Sequence, residues 1–183
     1  MSDDVAADSA EVARAFVKAC SRTATPVTIV TSADVSRELG QRELGQTVSA
    51  FSRVSDDPPV LGVCIQQRSP LNDVIAVREA FNVSVLAAGQ DRVADTFAGR
   101  EAPGRPRFSF RDDEWSGGSN GLPLLDGAAV SFECGLLGVQ DIGTHVLHLG
   151  RVVTARHGDA DPLVHLRGSY RTLAGESCPI APA

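Results

Sequence analysis

Short apolar and β-branched runs, each bounded by turn-forming residues, recur along most of this chain. Runs of this length predict β-strands rather than long amphipathic helices. The predicted strands cover residues 26–31, 46–54, 59–65, 81–87, 128–141, 144–153 and 163–165. The polar segment 32–45 is predicted to be a connection with a hairpin turn, and the segment 99–121 is predicted to be rich in loops.

Three short helices are predicted around these strands. Ser9 is the expected cap of the first helix, 9–21, and Ser69 is the expected cap of the second. Pro70 is expected at the first position of the second helix, which ends near residue 80, and the third helix covers 91–98. Most connections between neighbouring strands are too short for the crossovers that parallel strands need. The pattern therefore favours an antiparallel barrel over a doubly wound sheet.

Length and charge narrow the classes of protein. The chain has 183 residues, which predicts a single domain, 1–183, and its net charge of −6 makes nucleic acid a poor partner. No run of about 18 apolar residues is present, so no membrane span is predicted. The acidic N-terminal segment lacks the basic and apolar regions of a signal peptide, so we expect a cytoplasmic protein.

The cysteines and histidines do not predict a metal site. The four cysteines are dispersed without a CxxC pair: Cys20, Cys64, Cys134 and Cys178. Cys64 and Cys134 lie within apolar runs and are expected to be small core residues. His145 and His148 are three positions apart in a predicted strand. Their side chains therefore point to opposite faces and cannot bind the same ion.

The segment 45–99 has an order of elements that can hold a flat, phosphorylated cofactor. It contains a Ser/Thr-rich strand, a Pro-Pro stop, a buried apolar strand, a polar turn with Ser69 and a helix behind that turn. The strand backbone can lie along the edge of a ring system, and the turn and helix N-terminus can bind a phosphate. No GxGxxG loop follows a strand, so a Rossmann nicotinamide site is not predicted.

Seven segments occur together and in one order: GQTVSAFSRVSDDPP, CIQQRSPL, FNVSVLA, FAGR, GLPLLDGAAVSFEC, GTHVLHLG and PLVHLRGSYR. With them the chain resembles the short flavin reductases, the reductase components of two-component flavin-dependent monooxygenases, over about residues 15–173. The resemblance implies a mainly β fold, a split β-barrel of the FMN-binding type with Greek-key order and short peripheral helices. It implies a homodimer that binds FMN or FAD near the subunit interface. It also implies that the enzyme takes hydride from NADH or NADPH and releases reduced flavin to a separate monooxygenase.

The resemblance also implies a set of cofactor-binding residues. They are Thr47, Val48, Ser49, Ala50, Phe51 and Ser52 on the ring-binding strand, Gln66, Gln67, Ser69 and Asn72 at the ribityl- and phosphate-binding turn, and Ala98, Gly99 and Arg100 in the loop that closes on the cofactor. Where the family often has Ser-x-Thr, this chain has Ser69-Pro70-Leu71, so the second hydroxyl is missing.

His145 is the expected catalytic residue. It follows Gly143 and Thr144 in a segment that matches the family's Gly-Asp-His, and the family's histidine lies beside the nicotinamide. Here Thr144 replaces the more common Asp. Tyr170 and Arg171 match the family's C-terminal Tyr-Arg pair. Five arginines lie close together in one segment, which either meets dinucleotide phosphates or is a solvated face: Arg92, Arg100, Arg105, Arg107 and Arg111.

Three functions are consistent with such a barrel. The first is an NAD(P)H:flavin oxidoreductase, and the second is a flavin- or haem-binding barrel without catalytic turnover. The third is an oxidase of the pyridoxamine phosphate type. His145 and the complete strand from Thr47 to Ser52 favour the first.

Overall fold

Strands make up most of the regular structure in a computed structural model of the chain, which describes residues 2–36, 40–101 and 103–173. The helices are α1 (Ser2–Cys20), α2 (Leu71–Arg78) and α3 (Asp91–Phe97). The strands are β1 (Thr25–Pro26), β2 (Thr28–Ser36), β3 (Gly40–Val48), β4 (Phe51–Asp56), β5 (Pro59–Gln66), β6 (Ala80–Val85), β7 (Trp115–Gly117), β8 (Pro123–Leu125), β9 (Val130–Ile142), β10 (His145–His157), β11 (Val164–Leu166) and β12 (Ser169–Arg171). Within these ranges, no helix combines the length and the apolar character needed to cross a membrane.

Seven strands form one antiparallel sheet in the order β3-β2-β6-β9-β10-β5-β4. Its edge strands, β3 and β4, are consecutive in the chain and are separated only by Ser49 and Ala50. In a flat sheet the two edges would lie roughly 28 Å apart, at about 4.8 Å per strand. The three peptide links from Val48 to Phe51 span about 11 Å at most. The sheet therefore curls, and the prediction of an antiparallel barrel is confirmed.

Apolar side chains fill the inside of the curled sheet. Val30 of β2 and Phe81 of β6 lie there with Leu71 and Ile75, the two buried residues of α2. Helix α2 thus packs Leu71 and Ile75 into the barrel, while Asp73 and Arg78 are exposed. This placement fixes the loop that precedes the helix relative to the sheet.

Residues 28–33 of β2 are buried on both faces, and their two sides belong to different apolar clusters. Val30 faces the inside, whereas its neighbour Ile29 packs with Val93 and Phe97 of α3 and with Trp115. Helix α3 therefore covers the outer face of the sheet next to β3.

The outer face of β6 is polar but also buried. The side-chain amide of Asn82 donates to the carbonyls of Leu122 (3.2 Å) and Pro123 (3.3 Å). The hydroxyl of Ser84 accepts from the N–H of Leu125 (3.3 Å). The alternation in this strand thus separates an apolar inner face from a hydrogen-bonded outer face, and both are shielded from water.

The described cysteines differ in burial, and burial raises the thiol pKa of two of them. Cys134 lies in the core, and burial, with the charge of Glu133, raises the pKa of its thiol to about 12. Cys64 is half-buried in β5, and burial raises the pKa of its thiol as well. Cys20 is exposed at the end of α1. Cys178 lies outside the described residues.

The strand predictions need two corrections. The predicted strand 46–54 is two strands, because the chain turns at Ser49 and Ala50 between the two sheet edges. The predicted connection 32–45 is mostly strand, since β2 and β3 pair over their whole lengths from Thr28↔Val48 to Ser36↔Gly40. Residues 37–39, where the expected hairpin turn would fall, lie outside the described residues. Strands β1, β7, β8 and β12 were not predicted, because two or three residues give too short a pattern.

The helix predictions also need correction at their ends. Helix α1 begins at Ser2, so Ser9 lies within the helix and is not its cap. In α2, Pro70 occupies the cap position and Leu71 is the first helical residue. The helix ends at Arg78 because Glu79 adopts a left-handed conformation, with φ of 54°.

Candidate active site

A cleft of about 500 Å³ opens between β3, the turn after β5 and the C-terminal end of α3. Strand β3 contributes residues 42–47, and the turn contributes Gln66, Arg68 and Ser69 together with the start of α2. Phe97, Ala98 and Phe108 complete the lining. The lining of the cleft thus combines apolar side chains with polar and basic ones.

The β3 wall depends on a glycine. A Cβ atom at Gly45 would lie 2.8 Å from two ring carbons of Phe97 and 3.2 Å from the ring of Phe110. Phe97, Phe110 and Trp115 pack edge to face, with centroids 4.8 to 5.1 Å apart, so Phe97 cannot easily move. Only glycine allows β3 to lie this close to the aromatic cluster.

Thr47 fixes α3 to β3 from the same wall. Its hydroxyl donates to the carbonyl of Ala94 in α3 at 2.7 Å, which leaves only oxygen lone pairs for a ligand. Thr47 and Ala98 also line a second, smaller space of about 160 Å³ beyond the cleft, together with Val48 and Ser49. The two spaces therefore adjoin along Thr47 and Ala98.

The other residues of the expected ring-binding strand lie elsewhere. Ala50 accepts a backbone hydrogen bond from Cys64 (3.0 Å), and the ring of Phe51 stacks on Phe132 with centroids 5.9 Å apart. The hydroxyl of Ser52 is exposed and donates to the carbonyl of Arg53 (3.1 Å). Ala50, Phe51 and Ser52 line neither space. Their assignment to the flavin ring rests on the resemblance alone.

The turn after β5 is closed by its own hydrogen bonds. The N–H of Ser69 donates to the carbonyl of Gln66 (2.9 Å), and the hydroxyl of Ser69 accepts weakly from the N–H of Leu71 (3.4 Å). The side-chain amide of Asn72 donates to the carbonyls of Gln66 (2.9 Å) and Gln67 (3.3 Å). Gln66 and Ser69 line the cleft, whereas Asn72 does not and is directed to the turn itself.

His145 lies next to this turn, on the adjacent strand. It pairs with Gln66 in the β5–β10 ladder, and the N–H of Gln67 donates to the carbonyl of Thr144 (3.0 Å). The imidazole is exposed, and its Nδ1 is 2.8 Å from the hydroxyl of Thr144. That hydroxyl is donor or acceptor according to the tautomer of the ring. It takes the place of the carboxylate expected from the more common Asp.

The loop after α3 closes the smaller space. Gly99 has a φ of 74°, and a Cβ there would lie 3.0 Å from the Phe108 ring. The guanidinium of Arg100 is 2.6 Å from the carboxylate of Asp95 and 6.0 Å from the centre of the Tyr170 ring. The hydroxyl of Tyr170 donates to the same carboxylate (3.0 Å). Burial and this hydrogen bond raise the pKa of Tyr170 to about 12, so it is neutral at physiological pH.

The chain is similar to proteins of a known family. A model of the flavin reductase like domain matches residues 20–174 of the sequence. The chain belongs to this family. An NADH-dependent flavin reductase from a Rhodococcus species is 38% identical to this reductase over 157 residues, which cover 85% of this chain and 84% of that protein. The resemblance inferred from the sequence is confirmed.

Two solved structures show the same fold as this reductase. BorF, the flavin reductase component of a bacterial two-component tryptophan halogenase, is 34% identical with a TM-score of 0.76, over 90% of this chain and 99% of BorF. The NADH:FAD oxidoreductase SgcE6 of Streptomyces globisporus, in complex with NAD and FAD fragments, is 28% identical with a TM-score of 0.76, over 93% of this chain and 96% of SgcE6. The curled sheet of this reductase is the split barrel of these enzymes.

Sequence reasoning missed part of the cleft of the reductase. Arg42, Leu44, Gly45 and Gln46 of β3 line it, as does Phe108. The run 41–48 contains no Pro, Asn or Asp, and this feature could have identified a strand there.

The charges of the cleft also differ from the expected ones. The arginines that line it are Arg42 and Arg68. Four members of the expected basic segment are instead paired with carboxylates: Arg100 with Asp95, Arg105 with Glu114, Arg107 with Glu101 and Arg111 with Asp113. Glu43 also lines the cleft, and burial, with the nearby carboxylate of Asp112, raises the pKa of Glu43.

We expect Gly45→Ala to damage the cleft wall, because the new methyl group would overlap the Phe97 ring. Overpacking of this kind costs about 1–3 kcal/mol of unfolding free energy. Flavin affinity should fall as well, since β3 must move relative to Phe97. Urea unfolding and flavin titration would measure both effects.

Gly135→Ala is the matched control, because a Cβ on this β9 glycine would meet nothing within 4 Å. Equal stability and equal flavin affinity in the two variants would show that the close approach at Gly45 is not needed.

Proposed function

We propose that this protein transfers hydride from NADH or NADPH to FMN or FAD, and that the reduced flavin leaves for a separate flavin-dependent monooxygenase. The observation that carries the proposal is the pairing of Gln66 with His145. It brings a polar turn that lines the cleft and an exposed imidazole together, at the end of β5 and the start of β10. The membership of the chain in the flavin reductase like family, and its 38% identity to an NADH-dependent flavin reductase, support this function.

The cleft has the properties that a flavin requires. Its volume of about 500 Å³ lies in the range of small-molecule sites. Leu44, Leu71, Phe97 and Phe108 offer apolar surface to a flat ring system. Strand β3 is an edge of the sheet and pairs only with β2 among the described strands, so backbone donors and acceptors on its other side are free to meet polar ring atoms. When bound, the flavin supplies the two-electron chemistry of the reaction.

In this proposal the ring edge lies along Thr47, which lines both spaces, and along Val48 and Ser49, which line the smaller one. The phosphate lies at the turn, where the hydroxyl of Ser69 and the guanidinium groups of Arg42 and Arg68 can bind an anion. In this proposal the two arginines replace the phosphate contact of the missing second hydroxyl of the turn. Ala98 and Gly99 bring backbone close to the ligand. The ion pair with Asp95 positions the guanidinium group of Arg100 beside it.

Ser69→Asp should weaken FMN binding by on the order of tenfold, because it places a negative charge against the phosphate. Folding should survive, since a carboxylate can accept the N–H of Leu71 as the hydroxyl does. Fluorescence titration with FMN measures the effect. Ser52→Asp is the control, because Ser52 lines neither space. FMN affinity as high in folded Ser69→Asp as in the control would remove Ser69 from the site.

His145 serves the nicotinamide in this proposal. Hydride transfer requires the nicotinamide and flavin rings to be held in contact, and an exposed imidazole beside the cleft can hold the first ring over the second. The hydroxyl of Thr144 orients the imidazole through Nδ1. The role is therefore positioning of the hydride donor, with no proton transfer assigned to the ring.

His145→Ala should reduce kcat/KM for NADH ten- to a hundredfold, which corresponds to about 1.4–2.7 kcal/mol of transition-state stabilisation. Melting temperature and flavin affinity should be nearly unchanged, because the imidazole is exposed. Stopped-flow reduction of flavin with each nucleotide measures the loss. His157→Ala, at the exposed far end of the same strand, is the control. A His145→Ala variant with normal kcat/KM, or one that only loses stability, would end this assignment.

The proposal includes a homodimer. Large apolar side chains are more than half exposed on α1, at Val12, Phe16 and Val17, and on the long β9–β10 hairpin, at Ile142 and Val153. Exposed apolar surface of this extent is typical of an interface. Sedimentation at micromolar concentration should give twice the chain mass of 19.2 kDa. A monomer under these conditions would contradict it.

Two further expectations stay predictions. One is the cytoplasmic location, which cell fractionation would check. The other is the single domain with a core over about residues 15–173, which limited proteolysis would check. The non-catalytic binder and the oxidase of the pyridoxamine phosphate type are not favoured, because the matched family model is that of a flavin reductase like domain and a relative 38% identical is an NADH-dependent flavin reductase. Loss of NADH absorbance on addition of FMN or FAD would separate the reductase from both.

A further inference from the structure

A buried histidine lies behind the turn that lines the cleft. His148 of β10 is only 1% exposed, and its Nε2 is 2.9 Å from the side-chain oxygen of Asn72. Asn72 in turn donates its amide hydrogens to the carbonyls of Gln66 and Gln67. A chain of hydrogen bonds therefore runs from the middle of β10, through the first turn of α2, to the start of the 66–69 turn.

The chemistry of the groups fixes which of them donates and which accepts along this series of hydrogen bonds. The amide nitrogen of Asn72 has two carbonyl acceptors, so its oxygen must face His148. The Nε2 of His148 must then bear the proton and donate it. The Nδ1 of the same ring is buried without a hydrogen-bond partner among the described residues, so a second proton there would be unsatisfied. Burial accordingly lowers the pKa of His148, and the ring is neutral in one tautomer.

This series of hydrogen bonds restricts the backbone at the turn where an anion would bind. The carbonyl oxygen of Gln66 accepts both from the N–H of Ser69 and from Asn72. A carbonyl held in this way cannot rotate toward the cleft, where its negative end would repel a phosphate. The N–H of Gln67 is bonded to Thr144, so the same turn is also tied to the residue before His145.

We propose that Asn72 and His148 are positioning residues for the flavin phosphate. They act through the 66–69 turn and do not touch the ligand. This inference rests on the proposed function, in which the phosphate lies at Ser69. It changes the expected role of Asn72 from a ligand contact to a support of the turn.

The test compares FMN with riboflavin, which has the same ring but no phosphate. Asn72→Ala should weaken FMN binding roughly tenfold, while riboflavin binding stays close to that of the unchanged protein. With saturating FMN, kcat should stay near normal, so that the loss appears in KM for FMN. A residue that only stabilises the fold would change both affinities together or neither.

Asn82→Ala is the matched control. Like that of Asn72, its side-chain amide donates to two backbone carbonyls, here those of Leu122 and Pro123, although Asn82 is buried and Asn72 is half-buried. These carbonyls belong to the segment that covers the outer face of β6, and they do not line the cleft. Asn82→Ala should therefore lower the melting temperature and leave the ratio of FMN to riboflavin affinity unchanged.

His148 supplies a second pair of variants if Asn72→Ala does not fold. His148→Gln keeps an N–H at the position of Nε2 and should retain the preference for FMN, whereas His148→Leu removes the donor and should lose much of it. Equal ratios in these two variants, or an unchanged ratio in folded Asn72→Ala, would overturn the inference. If the unchanged protein bound FMN and riboflavin equally, the phosphate assignment at Ser69 would fail instead. A normal preference that Ser69→Asp abolishes and Asn72→Ala does not would reject the positioning role alone.

Discussion

Strands β3 and β4 are the two edges of the seven-stranded sheet, and only Ser49 and Ala50 join them. This short covalent link forces the sheet to close without a ladder of hydrogen bonds between its edges. Because β3 stays unpaired on one side among the described strands, it can form the wall of a cleft instead of the middle of a sheet. Closure also encloses the space that α2 fills, and α2 fixes the turn at the end of the cleft. The cleft therefore exists because a covalent link between β3 and β4 closes the barrel, rather than hydrogen bonds between these two strands.

Residues 28–33 of β2 and most of β6 are buried on both faces, so their polar side chains need hydrogen-bond partners within the protein. The segment around β8 supplies such partners. The carboxylate of Glu133 is buried behind this segment, where it accepts from the hydroxyl of Ser119 (2.7 Å) and the N–H of Asn120 (3.1 Å). Arg156 lies 3.0 Å from its other oxygen as an ion pair that lacks hydrogen-bond geometry. Removing one partner of such a group leaves a buried charge unsatisfied, which is more costly than the pair is stabilising. The outer layer is thus held to the barrel by polar contacts as well as by apolar packing.

The sequence predicted those parts of the molecule whose pattern is local. Continuous apolar residues identified β5, and the polar turn before α2 was placed correctly beside it. The cleft wall at Arg42 and Gly45 was missed, because a polar strand in an edge hairpin resembles a loop until its pairing partner is known. The corner at Ser49 and Ala50 was missed for a related reason: it follows from closure of the whole sheet. The ligand contact of Asn72 was implied by the resemblance. Its contact with His148 could not be predicted from a local pattern, because His148 is 76 positions away in the chain.

The position of His145 at the start of β10, directly after Gly143 and Thr144, has an evolutionary consequence. The distance from its imidazole to the turn at Gln66 is set by ladder register, which advances about 3.3 Å per residue. A single residue inserted into β10 after His145 would turn the imidazole to the opposite face of the ribbon as well as displace it. Descendants of this gene can therefore lengthen many surface loops freely, but they can change the length of this hairpin only in steps that preserve parity.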